Sequence, residues 1–434
     1  MPYQAQRPAA DLAERLAEEL ERLGEHVPPA VLEEVLETLY FASLRTEEGE
    51  SIRCQVAYMD PGNPDLDPPH RIVKDRWQVT PLGSPIQLTV TSLVDLAKAT
   101  DPRVSSFAVY DDPESGLRIW GLVDQGNRYY DFVNFDSESG PPPPGMFLAS
   151  IEAPAQVVAR VPFKSIGTLR VDRLLAEATD VVFDAGPVRD ALLPGIDSYI
   201  DRTRERVGAE LFDDRGHWAE SLKAEWIEVL CRLLLRARRY GHGGAILITP
   251  DDTAAGLNIK YLLEYPRLST ALDSRATAVI NRVAAADQIH ELMDENANEV
   301  PVDVYLNEAV SSAEEDDNWS EIDSSIWFVS LLTRIDGLVL MTPDLGVKGF
   351  GVEITTAEAP TSIRRARDPL ASSTQPLPYS QYGTRHRSMM RYCWAVPGSV
   401  GFVVSQDGDV RVLTRHADDL LVWENPFLQM QLEN

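Results

Sequence analysis

The chain has 434 residues, 44% hydrophobic and 25% charged, which suits two or three globular domains with a sizeable core. Its formal net charge of −28 repels nucleic-acid backbones and anionic membrane surfaces, so neither is an expected partner. Cys54, Cys231 and Cys393 lie far apart without CxxC spacing, which argues against a disulfide framework or a zinc site and for a reduced, cytoplasmic protein.

Residues 1–48 read as helical. Leu12, Leu16, Leu20 and Leu23 recur at helical spacing, and a second amphipathic segment follows Pro28-Pro29 from Val31 to Ala42. The opening Met1-Pro2-Tyr3-Gln4 is unlike a signal peptide, and no apolar run approaches the ~18–20 residues of a membrane span.

Residues 49–197 have a β-rich texture. Short runs such as Ile52–Met59, Ile86–Val90, Ser105–Tyr110, Arg118–Leu122, Tyr129–Val133, Ala155–Val161 and Ile166–Leu169 alternate with turn signals, and a barrel or sandwich is expected. The run Pro141–Pro144 reads as a stiff loop or a polyproline ligand.

Residues 198–434 read as α/β. A helix with an apolar face of Trp226, Ile227, Leu230, Leu233 and Leu234 carries Arg232, Arg236, Arg238 and Arg239 on its other side and last turn. Gly241 stops it, and a short buried strand, Gly243–Ile248, follows. Residues 261–295 look helical, and the polar 296–325, with Glu314-Glu315-Asp316-Asp317, is expected to be an insertion or mobile loop. Trp226 and Trp327 are expected in the core. Val400–Val404 and Asp409–Leu413 flank a hairpin turn at Asp407-Gly408.

Two segments carry chemistry. In Gly383-Thr384-Arg385-His386-Arg387-Ser388 a loop enters a helix. A helix N-terminus offers unbonded N–H groups, arginine forks match phosphate oxygens, and hydroxyls add donors. On physical grounds this is a polyphosphate site, weighed against a surface loop that pairs with some of the many carboxylates. Asp336-Gly337 opens a strand beginning at Leu338. Its carboxylate can hold Mg²⁺ or Mn²⁺, or help take a proton, although Asp-Gly alone is most often a turn. His242, between glycines, is either a loop histidine or a ligand contact. His290-Glu291 lacks the second histidine of a zinc protease motif.

The order Asp-Gly, apolar strand, loop, Gly-Thr-Arg-His-Arg, then a strand ending in Ser405-Gln406-Asp407 resembles the diadenylate cyclase family over roughly 215–415. That family includes the DNA-integrity scanning protein and the membrane-bound diadenylate cyclases. The resemblance implies a mixed central sheet flanked by helices, ATP as substrate, a divalent metal, and two such domains face to face. It implies that Asp336 and His386 are catalytic and hold the metal. It implies that Gly337, Leu338, Gly383, Thr384, Arg385, Arg387, Ser388, Ser405 and Asp407 bind nucleotide and phosphate. The product would be cyclic di-AMP and pyrophosphate, under control of an N-terminal sensor with an unidentified ligand. Leu338 stands where the family has Ala, Gln406 replaces a Glu, and Gly349–Glu353 departs from the family's Leu-Pro-rich segment. These departures motivate an alternative, a nucleotide-binding sensor without turnover.

Overall fold

The structure, a computed structural model, describes residues 7–62, 77–137, 143–171, 173–176, 180–213, 217–250, 254–294, 300–406, 408–426 and 428–429. The chain forms two compact units, Met1–Ala178 with Gln429–Asn434, and Thr179–Leu428.

In the first unit, helices α1 (Pro8–Arg22) and α2 (Pro29–Ser43) each start on a proline, whose missing N–H costs nothing at a helix start. A two-stranded ribbon follows, β1 (Thr46–Glu47) with β2 (Glu50–Ser51). The chain continues through β3 (Gln55–Tyr58), β4 (Gln78–Gln87), α3 (Val90–Leu96), β5 (Ser105–Asp112), β6 (Gly116–Asp124) and α4 (Arg128–Val133). It ends in β7 (Phe147–Ala153), β8 (Gln156–Val161), β9 (Lys164–Arg170) and β10 (Arg173–Ala176). Eight strands make one sheet in the order β10-β9-β8-β7-β3-β5-β6-β4, antiparallel except for β3–β5.

This is an open sheet with β10 and β4 at its edges, not the expected barrel or sandwich. Short runs between turn signals suggest strands, but helices rather than a second sheet cover both faces of this sheet. Val56, Phe107 and Phe147 pack with Leu12, Leu16, Leu32 and Leu36 of α1 and α2, so these two helices complete this unit's core. Ala57, Ala108, Trp120 and Leu148 pack on the other face with Tyr129, Phe132 and Val133 of α4. The run Tyr129–Val133 is thus helix rather than strand. The strand expected over Ile86–Val90 ends at Gln87, and Thr89 and Ser92 form a capping box that starts α3. β4, carrying Pro81 and Pro85, takes an edge, where a missing N–H breaks no ladder. Pro143 and Pro144 are buried rather than displayed as a ligand, while Pro141 and Pro142 lie outside the described residues.

The second unit runs α5 (Pro187–Val207), α6 (Ala209–Asp213), α7 (Trp218–Arg239), β11 (Gly244–Ile248), β12 (Leu257–Tyr265), α8 (Arg267–Asp294) and α9 (Val302–Leu332). Next come β13 (Leu338–Met341), β14 (Val347–Ile354), β15 (Ile363–Ala366), β16 (Thr374–Pro376), α10 (Thr384–Ala395), β17 (Val400–Val404), β18 (Val410–His416) and β19 (Asp419–Glu424). Its nine-stranded mixed sheet has the order β12-β14-β13-β11-β17-β18-β19-β15-β16. α10 covers one face through Met389, Met390 and Cys393, against Ala245, Leu247, Leu338 and Val403. α5, α7 and α9 lie on strands of the same sheet. The unit begins ahead of the expected boundary at 197/198. α5 holds Pro187 in its first turn and Pro194 inside it, a composition that reads as loop although its buried Val188, Leu192, Ile196 and Tyr199 keep helical spacing.

The segment 296–325 is not a loop where described. α9 pairs antiparallel with α8, and its acids meet bases: Glu315 with Arg275 (3.5 Å) and Arg282 (2.5 Å), and Glu321 with Arg267. Asp323 binds both Arg232 (3.0 Å) and Arg236 (3.3 Å) of α7. Those two arginines are buried instead of lying on a solvent face, at 3% and 8% exposure. Their guanidiniums lie over Trp319 (4.5 Å) and Trp327 (3.8 Å) respectively. Trp327 is therefore a half-exposed lid on Arg236, whereas Trp226 is in the core as expected. Residues 261–265 belong to β12 rather than to a helix, which begins only after Pro266.

All three cysteines are free and buried, and burial pushes the Cys54 and Cys393 thiols up to about 12. Among the described residues no helix is long and apolar enough to cross a membrane.

Asp323 is the shared anion of two buried guanidiniums. Asp323→Ala is expected to cost about 2 kcal/mol, below the usual loss for a fully buried pair because Asp323 is itself partly exposed. A urea titration that follows the Trp319 and Trp327 environment checks this.

Candidate functional site

The site is built by strand register. β11 and β13 run parallel with Ile246 opposite Val339, and β11 and β17 run antiparallel with Gly244 opposite Val404. The start of β11, the start of β13 and the end of β17 therefore share one end of the sheet. The segments reaching that end are His242-Gly243, Asp336-Gly337 and Ser405-Gln406.

The N-terminus of α10 joins them. Gly383 is its N-cap, and its first turn carries no acidic residue, so nothing in that turn neutralises the exposed amides. The Arg385 guanidinium lies directly on Gly243, where a Cβ would stand 2.4 Å from Nη1 and 3.3 Å from the Val404 carbonyl. Glycine at 243 is what lets this arginine reach the sheet end.

Asp336 follows α9 on an exposed turn, and among the described residues no hydrogen bond or ion pair holds its carboxylate. It lines an open cleft of about 390 Å³ with His242, Lys260, Tyr261, Arg334 and Ile335. Gly337 has φ +114°, and a Cβ there would come within 2.5 Å of the Gly351 backbone. Backbone contact between β13 and β14 thus fixes where Asp336 emerges. Lys260 bonds Glu353 (3.1 Å), which raises its pKa, with Asp336 adding a smaller pull in the same direction.

His386 sits differently from its expected role as a metal ligand. Its Nε2 accepts a hydrogen bond from Nη1 of Arg411 at 2.9 Å, and its ring packs on Tyr382 at 5.5 Å. Burial, then the charges of Arg411 and Arg385, lower its pKa to about 4. A neutral ring with its acceptor nitrogen occupied, beside two guanidiniums, does not fit a divalent cation. Glu424 anchors the cluster: it accepts from the Tyr382 hydroxyl (3.1 Å) and pairs with Arg365 (2.9 Å) and Arg411 (3.4 Å). His386 therefore ties the start of α10 to β18.

The other expected contacts divide. Thr384 and Gly383 are exposed at the helix start, and Arg387 is partly exposed. Ser388 donates its hydroxyl hydrogen to the Thr384 carbonyl (2.9 Å), inside the helix. The Ser405 hydroxyl accepts from the Asp409 amide (3.0 Å) and closes the β17–β18 turn. Leu338 is 5% exposed in the core under α10, so its bulk faces the core rather than a ligand. Asp407 lies outside the described residues. Among the described residues no three His, Cys, Asp or Glu side chains gather as a metal cluster.

Sequence reasoning missed Lys260, Tyr261 and Arg334. Tyr261 was hidden when residues 261–295 were read as helix, and Lys260, just ahead of that segment, was given no role, although Asn258-Ile259-Lys260-Tyr261 alternates polar and apolar residues before Pro266. Arg411 and Glu424 were also missed, because an ionic network across two strands has no local pattern.

The low His386 pKa has a signed consequence. Its neutral form adds stability that is complete above the ordinary histidine value near 6.5 and is lost as pH falls through about 4. An NMR titration is expected to show no His386 inflection above pH 5, and Arg411→Gln is expected to move that inflection upward.

Residues 22–124 match a family model described as "Probable sensor domain DACNV". No curated protein matches the chain. The match runs from the end of α1 to the end of β6, while β7, outside it, pairs with β3 inside the same sheet. The N-terminal unit thus carries a segment similar to this sensor domain and extends it by four further strands.

Proposed function

We propose that the second unit binds ATP at this sheet end and condenses two ATP into cyclic di-AMP, under control of the first unit. The observation that carries this reading is the convergence of Asp336, Gly243 with Arg385, and the α10 N-terminus on one end of one sheet. The DACNV match, a sensor type associated with diadenylate cyclases, supports the regulatory half.

Arg385, Arg387 and the first amides of α10 receive the triphosphate. Two such units face each other, each with one ATP. The ribose 3′-hydroxyl of each ATP attacks the α-phosphorus of the other. An O–P bond forms, the bond to the β-phosphate oxygen breaks, and pyrophosphate leaves twice. Asp336 orients the attacking hydroxyl and takes up its proton. Bound Mg²⁺ or Mn²⁺ would neutralise charge on the phosphates, and Asp336, with its open carboxylate, is the residue fitted to hold it. His386 acts through position, holding the arginine-bearing turn on Arg411. Catalysis is then placement and charge stabilisation.

One observation favours a sensor without turnover: His386 is engaged by Arg411 instead of being presented to a metal. Incubating the full chain with ATP and Mn²⁺, then separating products by chromatography, decides between the two. Cyclic di-AMP with two pyrophosphates per product is expected. Asp336→Asn should lower turnover at least about hundredfold while ATP still binds. Full activity in that variant would remove Asp336 from the chemistry, and ATP binding without product would favour the sensor.

A further inference from the structure

The geometry points to Tyr261 as the stacking platform for the purine base of the bound nucleotide, an assignment that rests on the nucleotide-binding reading above. Tyr261 lies on the outermost strand, β12, and is 51% exposed. Its ring is nonetheless fixed. Opposite it in register stands Phe350 of β14, and the two rings stack at 4.8 Å with an interplanar angle of 21°. The ring edge rests where a side chain on Gly351 would be, since a Cβ there would stand 2.9 Å from Tyr261 Cδ2. Gly351 is also the residue whose backbone Gly337 meets. One backbone contact therefore sets both the Tyr261 ring and the Asp336 carboxylate.

Both groups line the same cleft, together with His242, Lys260, Arg334 and Ile335. A flat aromatic surface held at the wall of a cleft that also carries cationic groups and a carboxylate matches a ligand that is part planar ring and part anion. An aromatic face without hydrogen-bond readout accepts any base, so binding strength rather than base choice is what it supplies. A purine nucleotide has both parts, and a bare polyphosphate has only one.

This difference supplies the test. The full chain, Tyr261→Ala and Tyr261→Phe are titrated by calorimetry with ATP and, separately, with inorganic tripolyphosphate. Tyr261→Ala is expected to weaken ATP about tenfold and leave tripolyphosphate unchanged, while Tyr261→Phe keeps wild-type ATP affinity. Unchanged ATP affinity in Tyr261→Ala, or equal losses for both probes, overturns the assignment. Wild-type protein that binds tripolyphosphate and ATP equally well also overturns it, since no base contact then contributes. Wild-type protein that binds neither probe overturns the nucleotide-binding reading itself.

Discussion

Parallel pairing of β11 with β13 is the constraint on which the candidate site depends. Parallel neighbours cannot be joined by a tight turn, so a long excursion must separate them. Here that excursion is β12, α8 and α9. It returns the chain so that the segments entering both strands, His242-Gly243 and Asp336-Gly337, reach the same end of the sheet. An antiparallel pairing would have put one of them at the opposite end. β17, antiparallel to β11, then delivers its own end to the same place.

The excursion is held by charge as much as by apolar packing. α9 is long, with exposed Tyr305, Leu306 and Val310 toward its start and buried Ile322, Ile326 and Val329 toward its end. Beside that packing, its hold on the unit comes through Glu315 and Asp323, each shared by two arginines, and through Trp319 and Trp327 under guanidiniums. Such pairing costs desolvation and adds little where it is exposed. Arg232 and Arg236 are buried, so losing their shared partner matters more than its presence stabilises.

Legibility in the sequence followed the range of the forces involved. Leu12, Leu16 and Leu20 announced a helix, Gly383 announced the start of α10, and the Asp407-Gly408 turn announced the β17–β18 hairpin, because each pattern is local. The open sheet of the first unit was not legible. Short apolar runs between turn signals announce strands without saying whether helices or a second sheet bury their faces. α9 was misread because its acids look like a solvated run until Arg232, Arg236, Arg275 and Arg282 are placed opposite. At the site, the arginine-bearing turn and Asp336 were readable as motifs, whereas Lys260, Tyr261 and Arg411 reach it only through sheet register.

Electrostatics ties these strands together. In a chain of charge −28, carboxylates are abundant, and an unopposed cationic turn is hard to keep. The start of α10 manages this by segregation. Glu424 engages Arg365, Arg411 and Tyr382, and Arg411 in turn occupies His386. Glu424 is thus engaged on the far side of the histidine, and the His386 ring remains neutral. Arg385 lies against the Gly243 backbone, and among the described residues no carboxylate pairs with it. A polyanion arriving at the helix start would meet N–H groups and a guanidinium that has no counter-ion among the described residues. On the proposed reading the same arrangement serves phosphate binding with or without turnover, and proton transfer falls to Asp336 rather than to His386.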